Sequence, residues 1–126
     1  MNQIEFREAV KERTSIRNND RAGEIIAAVL GTLGTRINAD EAQHLAAQLP
    51  EPYKTYAGSA GSMETFDIDE FFARIAGELR VSRGVAIRYA RVVMDVLDEA
   101  ISPGQMSDVR AQLPETFNVL VESETA

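Results

Sequence analysis

The sequence predicts an all-α protein, a helical bundle of about six helices built from two tandem three-helix repeats with pseudo-twofold symmetry. Three observations carry that prediction. First, the pentapeptide Ala47-Gln48-Leu49-Pro50-Glu51 returns unchanged as Ala111-Gln112-Leu113-Pro114-Glu115, at an offset of 64 residues. Second, apolar residues at helical spacing pair at the same offset: Ala22 with Ala86, Val29 with Val93, Leu30 with Met94, Leu33 with Leu97, Ile37 with Ile101 and Leu45 with Val109. Third, the apolar stripes open on Asn, Asp or Ser, whose side-chain oxygens accept hydrogen bonds from the unpaired N–H groups of a helix's first turn.

The first helix of each repeat starts at Asn2 or Asp67. One residue of slippage in an early loop makes the offset 65 here, pairing Glu5-Phe6 with Glu70-Phe71, Val10 with Ile75 and Ile16 with Val81. Asp67 with Glu70 three positions on has the spacing of a capping box, and Phe66 can close over Phe71 as a hydrophobic staple. Met1, Asn2, Glu5 and Phe6 hold the same four roles in the first repeat.

The second helix starts near Asn18 or Ser82. In the first repeat its stripe runs through Ala22, Ile25, Ile26, Val29, Leu30, Leu33 and Ile37; in the second through Ala86, Tyr89, Ala90, Val93, Leu97 and Ile101. Val85, Val92 and Val96 widen the second stripe, so that helix is expected to be the most buried, at the centre. The third helix is capped by Asn38 with Glu41, and by Ser102 with Pro103 at the first helical position and Gln105 three on. Both copies stop at Leu-Pro, because proline disfavours helix in the residue before it.

Residues 54–65, with Gly58-Ser59-Ala60-Gly61-Ser62, have the composition of a flexible linker. The organisation is therefore one domain over 1–126, with repeat one at 2–53, the linker at 54–65 and repeat two at 66–121. A repeat of this size is marginal alone, so the two are expected to bury their stripes against each other. With 44% hydrophobic residues against 26% charged, the chain has the apolar surface to do so.

Thirteen Lys and Arg against twenty Asp and Glu give a net charge of −7. That average field repels phosphate backbones and anionic lipid, which makes nucleic acid an unfavoured partner and a membrane an unexpected one. The absence of cysteine removes disulfides, thiolate nucleophiles and Cys-based metal sites. No basic, then apolar leader opens the sequence, and no stretch has the length of a membrane span, so a cytoplasmic location is expected.

The repeated helix start ending in Glu-Phe, the long Ala/Val/Leu helix and the duplicated Ala-Gln-Leu-Pro-Glu together resemble a bacterial family, domain of unknown function 2267. The resemblance covers residues 4 to 117. It implies a helical bacterial protein and carries over no active-site residue.

Candidate chemistry is thin. Glu41 and His44 have the Glu-x-x-His spacing of di-iron bundles, but those sites need two such motifs, His44 is the only histidine, and Asp108 stands at its place in the second repeat. Neither Asp95, Asp98 and Glu99 nor Asp67, Asp69 and Glu70 have EF-hand spacing with its central glycine. No serine stands in a Gly-x-Ser-x-Gly elbow, and Gly31 and Gly34 lie within a helical stripe rather than after a strand. No catalytic, metal or cofactor residue is therefore assigned.

Two surfaces remain. Residues 75–91 resemble a helix-turn-helix, with Arg80, Arg83, Arg88 and Arg91 as a local basic patch; against this, Arg80 stands where the turn favours glycine and the following helix is long and apolar. The repeated Gln-Leu-Pro-Glu, with Tyr53 and Tyr56 beside one copy and Phe117 beside the other, is a candidate docking surface. The leading expectation is a non-enzymatic helical module that binds a protein partner or its own copy; a DNA-binding or regulatory protein is the alternative, and an enzyme of unidentified class the third.

Overall fold

The computed structural model describes residues 1–121, and these form seven α-helices and a terminal 3₁₀ helix with no strand. The helices are α1 (Gln3–Thr14), α2 (Asn19–Arg36), α3 (Ala39–Ala47), α4 (Tyr53–Gly58), α5 (Ile68–Leu79), α6 (Arg83–Ala100) and α7 (Pro103–Ala111). The 3₁₀ helix is Glu115–Leu120. Helices α1 and α5 have 12 residues each, α2 and α6 18, and α3 and α7 9, so the sequence offset carries over into element length.

Local capping sets these boundaries. Asn2, Asn18, Asn38, Asp67, Ser82 and Ser102 each accept from the backbone N–H three residues on. At Asn2 the box is complete, with Glu5 returning to the Asn2 N–H at 2.9 Å. At Asp67 only half of the expected box forms, because the Glu70 carboxylate accepts from Arg74 one turn on instead. The Phe66 and Phe71 rings do meet, with centroids 6.4 Å apart, whereas Met1 stays 47% exposed and Phe6 is covered by Tyr53. Helices α1 and α5 both end on a residue in the left-handed region, Ser15 at φ 61° and Arg80 at φ 58°. The turn that favours glycine in sequence is made here by an arginine in the glycine conformation.

The first helix of each repeat packs on both long helices: α1 on α2 and α6, α5 on α6 and α2. Each long helix is thus clamped by its own repeat and by the other. Phe6, Val10, Phe71 and Ile75 enter the shared core fully buried, among Ile25, Leu30, Leu33, Ala90, Val93 and Leu97. Burial of one such large side chain contributes roughly 1.5–3 kcal/mol, which is why the stripes dominate the arrangement. Tyr53 and Phe117, 64 residues apart, seal the two ends of the core against Phe6 and Phe71, at centroid distances of 4.9 and 5.6 Å.

Two expectations need correction. The more buried long helix is α2, not α6, because α4 covers α2 as well, with Gly34 set against Ala57, while Val85 and Val92 of α6 stay half-buried. And residues 54–65 do not behave as a free tether. Their start is the helix α4, packed on α2 and α3, with Ala57 fully buried. The stretch that follows is held at and beside its ends: Gln43 donates to the carbonyl of Gly58, the last residue of α4, at 2.8 Å, the Glu64 N–H donates to the Thr35 carbonyl at 2.8 Å, and Arg36 Nε donates to the carbonyl of Phe66, just past the stretch, at 2.7 Å. Arg36 is itself 7% exposed, its guanidinium set over the Phe117 ring at 5.2 Å, so one buried cation ties α2, the connection and the C-terminal 3₁₀ helix together.

Close approach of α4 to α2 depends on Gly34, where a Cβ would stand 2.1 Å from the Ala57 carbonyl oxygen. Gly77, inside α5, has nothing within 4 Å of its Cβ position. Gly34→Ala should therefore cost ~2 kcal/mol or more by forcing two backbones apart, whereas Gly77→Ala should stabilise by up to ~1 kcal/mol through helix propensity. Chemical denaturation of the two variants checks both signs.

Candidate functional site

The duplicated Gln-Leu-Pro has a structural task. In a self-contained capping box the third helical residue returns its side chain to the N–H of its own cap. In α3 and α7 it does not. The Asn38 N–H donates to Gln112 Oε1 at 3.3 Å, and the Ser102 N–H to Gln48 Oε1 at 2.8 Å, so each third helix is capped by the glutamine of the other repeat. The side chains thereby released, Glu41 and Gln105, are themselves 64 residues apart, and Gln105 Nε2 donates to the Glu41 carboxylate. This seam joins α3 to α7.

It also disposes of several candidates. Gln48 and Gln112 are engaged at the seam and Tyr53 and Phe117 are 2% exposed, so the expected docking surface loses its aromatic residues to the core, while Gln48, Glu51, Pro114 and Glu115 face solvent. Tyr53 donates its hydroxyl to the Gln3 carbonyl at 3.0 Å, and burial pushes its pKa up. Glu41 turns to Gln105 while His44 and Asp108 face solvent, and no group of three or more His, Asp or Glu gathers among the described residues.

The acidic clusters are matched by arginines. Asp69 accepts from Arg83 at 2.6 Å and Glu70 from Arg74 at 2.9 Å, while Asp67 caps its helix. Arg13 of α1 bridges to Asp95, at 2.9 Å, and to Glu99 on α6. The hydrogen bond from Arg13 holds the Glu99 carboxyl below its ordinary range, and the same bond raises the Arg13 guanidinium. Of the basic patch, Arg88 donates to the Thr14 carbonyl at 2.6 Å and Arg83 is paired, while the face of α6 carrying Ala86, Tyr89, Ala90 and Val93 is buried in the core.

Among the described residues, a groove of about 390 Å³ lies open between α2, α4 and the end of α5, lined by Glu24, Ala27, Gly31, Tyr56, Ser59, Glu78 and Leu79. Its floor is the 24, 27, 31 edge of α2, where two small residues leave room that neither α4 nor α5 fills. Tyr56 forms a half-buried aromatic wall, and Glu24 and Glu78 are exposed at the rim. Arg21 lies at one end, bonded to the Leu79 carbonyl at 2.7 Å and 3.7 Å from Glu24. Glu78 makes no ion pair among the described residues. Sequence reading passed over this site, taking Gly31 only as a member of a helical stripe; the available signal was its mismatch with Asp95 at the same offset.

The family model described as an uncharacterized conserved protein (DUF2267) matches residues 3–120. No curated protein matches the chain.

Two measurements test the geometry. Gln48→Ala and Gln112→Ala should each cost about 1 kcal/mol, because a cap N–H loses its acceptor, and their costs should depart from additivity in the double variant, since Gln48 also donates to Gln105 and Gln105 to Glu41, which joins both glutamines in one network. Glu99, with its pKa lowered by folding, contributes stability above the ordinary carboxyl value of 4.5 that is lost as pH falls through the lower folded value. Glu99→Gln should then cost up to ~1 kcal/mol near neutrality, as for an exposed pair, and the deficit should vanish in acid; thermal melts across pH read it directly.

Proposed function

Since the chain belongs to this family of uncharacterized conserved proteins, we propose from the geometry that it is a non-enzymatic helical module whose binding surface for a protein partner is the α2, α4 and α5 groove. One observation carries the reading. Elsewhere Asp67, Asp69, Glu70, Asp95 and Glu99 are engaged in caps and ion pairs, whereas this groove combines a half-buried aromatic wall, a floor of small residues and the carboxylate of Glu78 at its rim.

Such a lining suits recognition more than catalysis. It offers apolar area for a side chain to cover and a few polar groups to orient it, but no nucleophile beside a base and no metal-ligating cluster. Ala27→Leu should fill the floor from the solvent side of α2 with little effect on stability, as the position is only half-buried.

Used as bait beside the unaltered chain, with nuclease present, the Ala27→Leu variant should lose whatever protein the unaltered chain captures, with its melting temperature preserved. Recovery of the same protein by both baits would place the binding surface elsewhere on the molecule.

A further inference from the structure

Positions at the groove and their counterparts in the other repeat differ in a directed way. In the second repeat, Asp95 and Glu99 of α6 receive Arg13 of α1. By the 64-residue offset, Asp95 and Glu99 correspond to Gly31 and Thr35 of α2; by the 65-residue offset of the first helices, Arg13 corresponds to Glu78 of α5. The helix pairs correspond as well, since α1 packs on α6 and α5 on α2. One corner of the molecule is therefore filled by a guanidinium between helices. The matching corner has neither the guanidinium nor the carboxylates that face it, and a carboxylate, Glu78, stands at the position of the cation.

The remaining exchanges run the same way. Ala27 stands where α6 has Arg91, and Glu24 where it has Arg88. Small or acidic side chains stand where α6 has large cationic ones, and they line the 390 Å³ groove. Arg21 does not restore the balance, because its guanidinium is held at one end by the Leu79 carbonyl and Glu24. Glu78 is left facing an open volume with the Tyr56 ring as its wall. An extended cation is complementary to that lining: its methylenes cover Ala27 and Gly31, its charge meets Glu78 and Glu24, and a guanidinium can stack on the tyrosine face.

We propose that the groove binds an arginine or lysine side chain presented by a basic segment of a partner protein, the incoming cation taking the place that Arg13 fills in the other repeat. This rests on the interaction-module reading and gives its ligand a chemical class. Binding through one or two exposed carboxylates is weak per side chain and is screened by salt, so a segment with several basic residues is the natural occupant.

The test uses the full chain and an eight-residue Gly/Ser peptide carrying two arginines, with the same peptide carrying citrulline as the uncharged control. Proton NMR should show the Tyr56 ring resonances moving saturably with the arginine peptide at low salt and not with the citrulline one. Glu78→Gln should weaken binding roughly three- to fivefold, and Glu24→Gln with Glu78→Gln roughly tenfold; Asp108→Asn, an exposed carboxylate on α7, should leave it unchanged. Gly31→Asp with Glu78→Arg, which rebuilds the other repeat's ion pair inside the groove, should abolish it.

Equal binding of the citrulline peptide, indifference to both glutamate substitutions, or no saturable shift at millimolar peptide would overturn the proposal. These outcomes separate it from the broader reading. Loss of a captured protein on Ala27→Leu without arginine-peptide binding leaves the module and removes the cationic ligand; peptide binding with capture unaffected keeps the cation site and moves the partner surface elsewhere.

Discussion

The rest of the structure depends on one core shared by the stripes of α2 and α6, and at its edge the N–H that opens each third helix is bonded by a glutamine of the opposite repeat, Gln112 on Asn38 and Gln48 on Ser102. Because the glutamines hold those N–H groups, Glu41 and Gln105 are free to bond each other across the seam. Because the seam fixes α3 against α7, the Leu-Pro stops that follow them point Tyr53 and Phe117 back into the core, onto Phe6 and Phe71. A single repeat would leave the N–H of its third-helix cap without its glutamine acceptor, a cost of about 1 kcal/mol, and would expose the apolar faces that α1 buries on α6 and α5 on α2.

That mutual dependence explains how the halves can diverge without losing the fold. Core and caps are held in common, so change is tolerated at the rim of the helix pairs. One rim carries Arg13 with Asp95 and Glu99; the other carries Glu78, Gly31 and Thr35. Exposed ion pairs contribute little to stability, so dissolving one costs little and leaves a concave surface on a rigid frame. The connection contributes as well: α4 supplies Tyr56 as the groove's wall, and Gly34 lets α4 sit close enough to do so.

The local elements were legible in the sequence because their determinants are local. Asn2, Asn18, Asn38, Asp67, Ser82 and Ser102 all cap the helices they were expected to cap, and the stripes through Leu33 and Leu97 are buried as their spacing required. The linker was misread for an equally physical reason. Its Gly and Ser residues describe an unconstrained chain, but Arg36, Thr35 and Gln43 supply bonding partners from elsewhere in the fold. Likewise Val85 and Val92 looked like core on α6, yet α4 went to α2 and left them half covered.

The sequence by itself determined the all-helical class, the starts and stops of the helices that open on a side-chain cap and the duplicated Gln-Leu-Pro, since caps, periodicity and proline act within a few residues along the chain, whereas α4 has no such cap to announce it. Only the tertiary structure decided which glutamine caps which helix, which carboxylates meet arginines and where a groove stays open. Those depend on residues tens of positions apart, and their side chains acquire a role only when packing brings a particular partner, or none, within a few ångströms.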